Sequence, residues 1–413
     1  MQNSHRLFFA GALIILLAFI AFGLWGVPYL FGPVRLPQTA EATSTLGSQT
    51  VRARVTQIVD EGQIELNGRS QLYQVMQVEI LEGDQQGMSF QIDYGKRQLR
   101  TDDIRFAPGD EVYVMIDQAP SGDLKAYYSD YVRSKSLAIM LIVFALSILV
   151  LGRWKGLGSL VALAISMVMI VSFILPHILA GEDPVKVSLI GSMILLGVTL
   201  YLTYGWNLKS HASVVSMILS LSLTGAFSAM FVGLTRLNGY GDENAQYLMQ
   251  GSSIHIDPRG LLLAGMIIGA LGVLGDLVTS QSAAVVELHD ANPLLGFRLM
   301  FLKAMRVGQD HVAATVNTLV LAYAGASLPL LLIFTLNNGS YSYLINSEFL
   351  AEEIVRTLVG SLGLIAAVPI STLIATALIV HQSRLGPMRA LLGPETADAH
   401  LYADSQQGEI QPN

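Results

Sequence analysis

The sequence predicts an α-helical integral membrane protein with about eight transmembrane helices and a small extracytoplasmic β-barrel or sandwich module after the first helix. The 413-residue chain is 52% hydrophobic and only 13% charged, whereas soluble domains average about 25% charged residues. Apolar runs long enough to cross a bilayer recur along the chain. Residues 34–133 differ, because they are polar and their apolar residues alternate with the period of β-strands.

Eight apolar segments are candidates for membrane spans: Leu7–Val27, Leu137–Leu151, Leu157–Ala180, Val185–Gly205, Ala212–Leu234, Gly260–Ser280, Val312–Leu336 and Ile354–Val380. The second is short for a bilayer core of about 30 Å, and we expect it to begin upstream, near Tyr131. The first segment is longer than a typical signal-peptide core, and no clean cleavage site follows it. We therefore expect an uncleaved anchor at residues 1–33, with a cleaved signal peptide as the alternative.

Residues 34–133 form the predicted β-rich module. Four stretches alternate between apolar and polar residues and are bounded by turn residues: Val51–Val59, Tyr73–Ile80, Ser89–Tyr94 and Glu111–Ile116. This pattern is typical of a small antiparallel barrel or sandwich. The module contains no His or Cys, and its acidic residues are scattered. It is therefore interpreted as a structural or partner-binding module, and an envelope protein is the partner expected there.

The charges of the loops predict the orientation. Alternate loops carry the basic residues Arg153, Lys155, Lys209, Arg298, Lys303, Arg306, Arg384 and Arg389. The positive-inside rule places these loops and both termini in the cytoplasm and residues 34–133 outside it. The loop Arg236–Arg259 is the exception, although its two arginines are accompanied by three acidic residues. Residues 134–392 then form a polytopic domain of about seven helices, and the polar residues 393–413 a disordered cytoplasmic tail.

Composition also excludes some classes of function. The formal net charge is −7 and no basic cluster occurs, so nucleic acid is not an expected partner. The chain has no cysteine, which rules out disulfides, Cys-ligated zinc and iron–sulfur clusters. We expect no cofactor and no metal site. The expected partner of the apolar segments is the lipid bilayer. The sequence does not determine the oligomeric state.

Two apolar segments carry ionisable residues, which are costly inside a bilayer. In the first, helical spacing places Gly265, Gly269, Gly272 and Asp276 on one stripe that continues through Ser280 and Glu287. Glycines alone indicate close helix packing. Because this stripe also carries acidic and hydroxyl groups, it favours a polar cavity.

The second segment brings Asn317 and Thr318 to a similar depth. At 1.5 Å per residue, Asp276 lies about 22 Å from the outer edge and Asn317 about 8 Å from the inner edge of a core of roughly 30 Å. Asp276, Ser280, Asn317 and Thr318 are therefore a candidate intramembrane polar or coupling site. Glu287, Asp310 and His311 are candidates for a cytoplasmic gate near the interface.

Plainer interpretations remain open for these residues. Asn317 and the threonines can be interhelical hydrogen-bond partners. Asp310 and His311 can cap the start of a helix, and Asp276 can be a buried acid paired with Lys303 or Arg306. Leu294–Val307 has the pattern of an interfacial amphipathic helix. Gln281–Leu288 either continues its helix or folds back into the membrane.

The same two segments resemble a known family. GALGVLGDLVTSQSAAVVEL and RVGQDHVAATVNTLVLAYAGASLPLLLIF are similar to the YibE/F-like family of bacterial multispan membrane proteins, and the resemblance extends over most of the chain. It implies a protein of the bacterial cytoplasmic (inner) membrane. It implies no substrate and no catalytic residue.

These residues suggest three possible functions. The leading hypothesis is a solute or ion permease that uses Asp276 as its coupling carboxylate. The second is a non-transport scaffold whose β-module binds an envelope partner. The third is an intramembrane hydrolase pairing Asp276 with Glu287 or Asp310. It is disfavoured because no HExxH or GxSxG motif occurs and because Asp276 and Glu287 lie about 16 Å apart along a helix. We therefore expect no enzyme.

Overall fold

The computed structural model describes residues 49–66, 68–97, 104–118, 124–251, 256–336, 341–385 and 392–394. The predicted anchor segment Leu7–Val27 lies outside these residues, as does the predicted tail beyond Pro394. The chain divides into two compact units. One comprises residues 38–148, and the other comprises residues 149–413 with residues 1–37.

The smaller unit contains a curled antiparallel sheet of five strands. They are β1 (Gln49–Leu66), β2 (Arg69–Ile80), β3 (Ser89–Tyr94), β4 (Glu111–Gln118) and β5 (Leu124–Tyr131), in the spatial order β3-β2-β1-β4-β5. The four predicted strands are confirmed, and β5 is an addition. The long strand β1 shifts register against β2 between Val55 and Gln57 and between Ile58 and Asp60. Such bulges increase the local twist and so help the sheet to curl.

Alternate side chains of the strands form the core of this unit. Its members include Ala53, Val55, Met76, Val78, Val112 and Val114, all fully buried. One charged group lies at its edge. The carboxylate of Glu111 accepts hydrogen bonds from Arg52 (2.5 Å) and Lys135 (3.0 Å). These two cations hold the pKa of Glu111 below its ordinary value.

The rest of the described chain is helical. The helices are α1 (Ser134–Met169), α2 (Leu175–Leu179), α3 (Pro184–Tyr204), α4 (Leu208–Leu234), α5 (Glu243–Gly251), α6 (Pro258–Ala291), α7 (Phe297–Ala326), α8 (Leu328–Leu336), α9 (Tyr341–Asn346) and α10 (Glu348–Val380). Residues Ile170–Ile174 form a π-helical turn between α1 and α2. Arg153 interrupts α1 with the non-helical angles φ 49° and ψ −125°.

Within the described residues, six helical stretches are long and apolar enough to cross a membrane. They are Ser134–Arg153, Lys155–Leu179, Pro184–Tyr204, Leu208–Leu234, Pro258–Ala291 and Glu348–Val380. These match six of the eight predicted segments, so a multi-span membrane protein is indicated. The predicted seventh segment, Val312–Leu336, is divided between α7 and α8. The polar residues of α7 reduce its apolar character, and the count of eight spans stays a prediction.

Helix α6 packs against α3, α4, α7 and α10. It runs parallel to α10, because the side-chain amide of Gln281 donates a hydrogen bond to Thr372 Oγ1 (2.7 Å) while Gly265, near the start of α6, lies beside Arg356, near the start of α10. It runs antiparallel to α7, because Gly308 of α7 meets Gln281 whereas Tyr323, fifteen residues later, meets Gly269. Leu274, Leu277, Val278, Met217, Leu221 and Leu364 form the apolar core between these helices.

Two sequence-based alternatives are resolved by the helix boundaries. Leu294–Val307 is not a separate interfacial helix, since α7 begins at Phe297 and continues to Ala326. Met300 and Ala304 are fully buried against α4, α6 and α10. Asp310 and His311 therefore lie inside a helix and do not cap one. Gln281–Leu288 continues α6 without folding back.

The segment 392–394 packs against the start of α4. The backbone N–H of Leu208 donates to the carbonyl of Pro394 (2.9 Å), and His211 Nε2 lies 3.2 Å from the carbonyl of Leu392. Gly393 between them has φ +75°, a conformation that favours glycine. Gly393 and Pro394, the first residues of the predicted tail, are thus ordered contacts of the bundle.

Candidate functional site

One face of α6 carries a row of small and polar residues, here called the α6 stripe: Gly265, Gly269, Gly272, Asp276 and Ser280. Steps of three and four residues keep them on one side of the helix. At the start of α6, the side chain of Asp257 accepts a hydrogen bond from the backbone of Arg259 (3.1 Å) and so fixes the first turn. From Gly265 to Ser280 the stripe covers fifteen residue steps, or about 22 Å along the helix.

The glycines of the stripe make room for polar side chains from other helices. A Cβ atom on Gly265 would lie 3.6 Å from Nη1 of Arg356 in α10, and one on Gly269 would lie 3.4 Å from the hydroxyl of Tyr323 in α7. A Cβ atom on Gly272 would have nothing within 4 Å. The sequence offered close helix packing as the plain interpretation of these glycines. Their observed neighbours at Gly265 and Gly269 are a guanidinium and a phenol.

Arg356 belongs to an ionic cluster at the start of α10. Its Nε lies 3.3 Å from Oε1 of Glu353, and the two side chains are only 21% and 30% exposed. Glu352, the residue before Glu353, is 3% exposed. This cluster was not predicted, because apolar character alone places the start of the last segment at Ile354 and leaves these charges in a loop. A helix begun at Glu348 would have placed them on its first turns.

Asp276 lies between Gly272 and Ser280 on the stripe and is exposed on the described bundle. Its charge acts on the phenol of Tyr204 at the end of α3, as does the opposite charge of Lys155. The sequence offered a second interpretation of Asp276, a buried acid paired with Lys303 or Arg306. Among the described residues, Asp276 forms no ion pair with either of them. The carboxylate therefore lies on an open face of α6 between α3 and α7.

Ser280 and His311 are brought together. Ser280 Oγ lies 3.3 Å from Nδ1 of His311, and it also donates to the backbone carbonyl of Asp276 (2.7 Å). Since the carbonyl uses the hydroxyl hydrogen, His311 is placed to donate its Nδ1–H to Ser280. The sequence assigned Ser280 to the coupling site and His311 to the gate, and the structure joins them.

Asn317 and Thr318 lie on α7 between His311 and Tyr323, the two residues that face Ser280 and Gly269. Asn317 is therefore at about the same height along the bundle as Asp276. Both side chains are exposed, and within the described part of the chain the amide of Asn317 does not hydrogen-bond to Asp276. Thr318 donates to the backbone carbonyl of Thr315 (2.8 Å).

The remaining gate candidates do not form a cluster. Glu287 and Asp310 are exposed, and His311 is half-buried. In the described ranges, no group of three or more His, Asp or Glu side chains is arranged to hold a metal ion. The polar groups therefore form a row along α6 and α7.

The helices that carry this row belong to a segment that matches a known protein family. A family model described as YibE/F-like protein matches residues 140–381, which is more than half of the chain and includes all of α6, α7 and α10. The comparison with curated proteins gave no match. The comparison with solved structures gave none either.

Proposed function

The chain belongs to the YibE/F-like family, and from this premise we propose that it is an ion or small-solute permease of the bacterial cytoplasmic membrane. The polar row along α6 would be its translocation path. The family assignment supports a multi-span membrane protein and supplies no substrate. The proposal therefore depends on the geometry of the row.

One observation carries the proposal: ionisable groups from three helices follow a single face of α6. Arg356 lies at the Gly265 end of the stripe, Asp276 lies one turn before Ser280, and His311 lies beside Ser280. From Gly265 to Glu287 this face is about 33 Å long, close to the thickness of a bilayer core. Ionisable residues at such depths are expensive and usually mark a substrate or ion pathway.

Each group has a proposed role. Asp276 is the coupling carboxylate, because it is the ionisable group of the stripe itself and its charge acts on the phenol of Tyr204. Asn317, Thr318 and Ser280 supply oxygen ligands or hydrogen bonds at that height. Glu287, Asp310 and His311 form the mouth at the cytoplasmic end, and the Arg356–Glu353 pair lies toward the opposite end. The excess of acids favours cations as the coupling species.

The proposed orientation follows from the loop charges. Basic residues concentrate in alternate loops, which the positive-inside rule places in the cytoplasm. Both termini are then cytoplasmic, Asp276 lies in the inner leaflet, and the five-stranded sheet lies outside the cytoplasm.

The test is ion flux in proteoliposomes that contain the full chain. Uptake of H⁺, Na⁺, K⁺ and Mg²⁺ is followed with entrapped indicator dyes, with and without a membrane potential. We expect a cation-dependent flux that Asp276→Asn abolishes. Asp290→Asn is the matched control, because Asp290 is exposed near the end of the same helix, and it should retain the flux. Flux no faster than in protein-free vesicles, or equal flux in D276N and wild type, would refute the proposal.

A second candidate is a scaffold that recruits an envelope partner. It is favoured by the cleft between the two outer strands of the curled sheet, β3 and β5, each of which is paired along one edge only in the described ladders. Unpaired strand edges accept strands from other chains. A photo-crosslinking amino acid at Tyr127, an exposed residue of β5, should give a discrete adduct in intact cells. A lack of adducts there would remove this candidate.

A further inference from the structure

The connection between α4 and α5, residues 235–242, is tied to α10 by two carboxylates. The backbone N–H of Asn238 donates to Glu348 Oε1 (2.8 Å), and the backbone N–H of Gly241 donates to Glu352 Oε1 (3.0 Å). Glu348 and Glu352 are one turn apart, so they face the connection from one side of α10. Hydrogen bonds to a carboxylate are about twice as strong as neutral ones.

The fit around these bonds is close. A Cβ atom on Gly241 would lie 2.7 Å from Cδ of Glu352, so no other residue fits there without movement. Gly239 has φ +85°, and a Cβ atom on it would lie 2.2 Å from the carbonyl of Pro258. The connection therefore rests on the first residues of both α6 and α10.

This position is the end of the bundle at which the α6 stripe begins. Gly265 lies two turns from Pro258, and Arg356 lies one turn beyond Glu352. The connection therefore lies next to this end of the stripe, on the first turns of the two helices that carry Gly265 and Arg356. The charged groups that act on Glu352 are Glu348, Asp242 and Arg356.

We infer that the α4–α5 connection is a lid over this end of the polar path and that Glu352 is its latch. The inference rests on the proposed function, because a lid needs a path to close. Opening the lid breaks the bonds from Asn238 and Gly241 to the two carboxylates. Glu352 acts by positioning the lid and does not contact the solute in the closed state.

The latch is tested by hydrogen exchange of residues 236–246 in the full chain, reconstituted in nanodiscs. Glu352→Ala should accelerate their exchange at least about tenfold, as expected when a charge-assisted hydrogen bond is lost. Glu352→Gln keeps an acceptor and should give a smaller increase. Glu353→Ala is the matched control: it removes the neighbouring acid, which pairs with Arg356, and should leave this exchange unchanged. Wild-type exchange in E352A, or equal acceleration in E353A, would overturn the latch.

The lid is tested by labelling a single thiol at Gly265→Cys, which is possible because the chain has no cysteine. A Cβ atom there is in ordinary contact with Arg356, so the side chain fits. A membrane-impermeant methanethiosulfonate cation, added from the side of the lid, should modify G265C at least about tenfold faster with E352A, matching the increase in lid opening. Faster exchange without faster labelling would refute the lid. If wild-type vesicles show no cation flux, the permease proposal is refuted. The exchange measurement would still show whether Glu352 holds the α4–α5 connection in place.

Discussion

Ser280 Oγ lies 3.3 Å from Nδ1 of His311, and this contact joins the α6 stripe to α7. It is a link between a hydroxyl in the stripe and a titratable ring on the neighbouring helix. Because Ser280 is also bonded to the carbonyl of Asp276, the ring of His311 is coupled to the backbone of the central acid.

Replacing Ser280 with Ala should reduce cation flux about fivefold, the effect of losing one hydrogen bond of about 1 kcal/mol. Stability should change little, because the hydroxyl otherwise bonds only its own helix. Ser222→Ala is the control, since Ser222 bonds its own helix in the same way (Ser222 Oγ to the Ile218 carbonyl, 2.7 Å) and is exposed. Flux and thermal unfolding are measured for both variants. Equal flux in S280A and S222A would show that the contact has no functional role.

At Gly308, helix α7 packs closely against both α6 and α10. A Cβ atom there would lie 2.4 Å from Cγ1 of Val368 and 2.8 Å from Oε1 of Gln281. Gly308→Ala should therefore lower the free energy of unfolding by about 1–3 kcal/mol, the usual cost of overpacking. Gly325→Ala, on the same helix but with nothing within 4 Å of its Cβ position, should cost nothing. Unfolding in detergent measures both, and equal stabilities would contradict the packing described for α7.

Glu111 makes the stability of the sheet depend on pH. Its pKa is lowered by hydrogen bonds to Arg52 and Lys135, so its stabilising effect is present above its unfolded pKa of about 4.5. That effect is lost as the pH falls through the lower folded value. Glu111→Gln should accelerate hydrogen exchange in β1 and β4 at pH 7, and the difference from wild type should shrink as the pH is lowered to about 3. Glu65→Gln, at an exposed position of β1, should match wild type at both pH values. A difference between E111Q and wild type that persists unchanged at pH 3 would contradict this account.

Local patterns predicted much of this fold. Apolar runs of bilayer length predicted the six helical stretches that are long and apolar enough to cross a membrane, and period-two alternation predicted β1 to β4. Strand β5 was missed because its sequence, LKAYYSDY, has no consistent alternation of apolar and polar residues. The boundary of α7 was missed because charged residues between Arg298 and Arg306 suggested an interface, whereas Met300 and Ala304 pack inside the bundle.

The site was predicted in part. Helical spacing alone placed the glycines, Asp276 and Ser280 on one face, and that face is the α6 stripe. The residues of other helices that contact this stripe could not be predicted from helical spacing. Arg356 reaches Gly265 across ninety-one positions of sequence, and the pairing of His311 with Ser280 depends on the register of two antiparallel helices. Periodicity within one helix contains no information about that register.

The central claim is that the α6 stripe is accessible to water inside the membrane. The most direct measurement is the modification rate of Gly272→Cys, at the stripe position with nothing within 4 Å, by an impermeant methanethiosulfonate cation in proteoliposomes. Leu141→Cys is the comparison, since Leu141 is 62% exposed on the apolar helix α1 and should face lipid. We predict that G272C reacts at least about tenfold faster than L141C, because only the thiol in water ionises readily. Equal, slow reaction of the two thiols, with both reacting fully after denaturation, would contradict the claim.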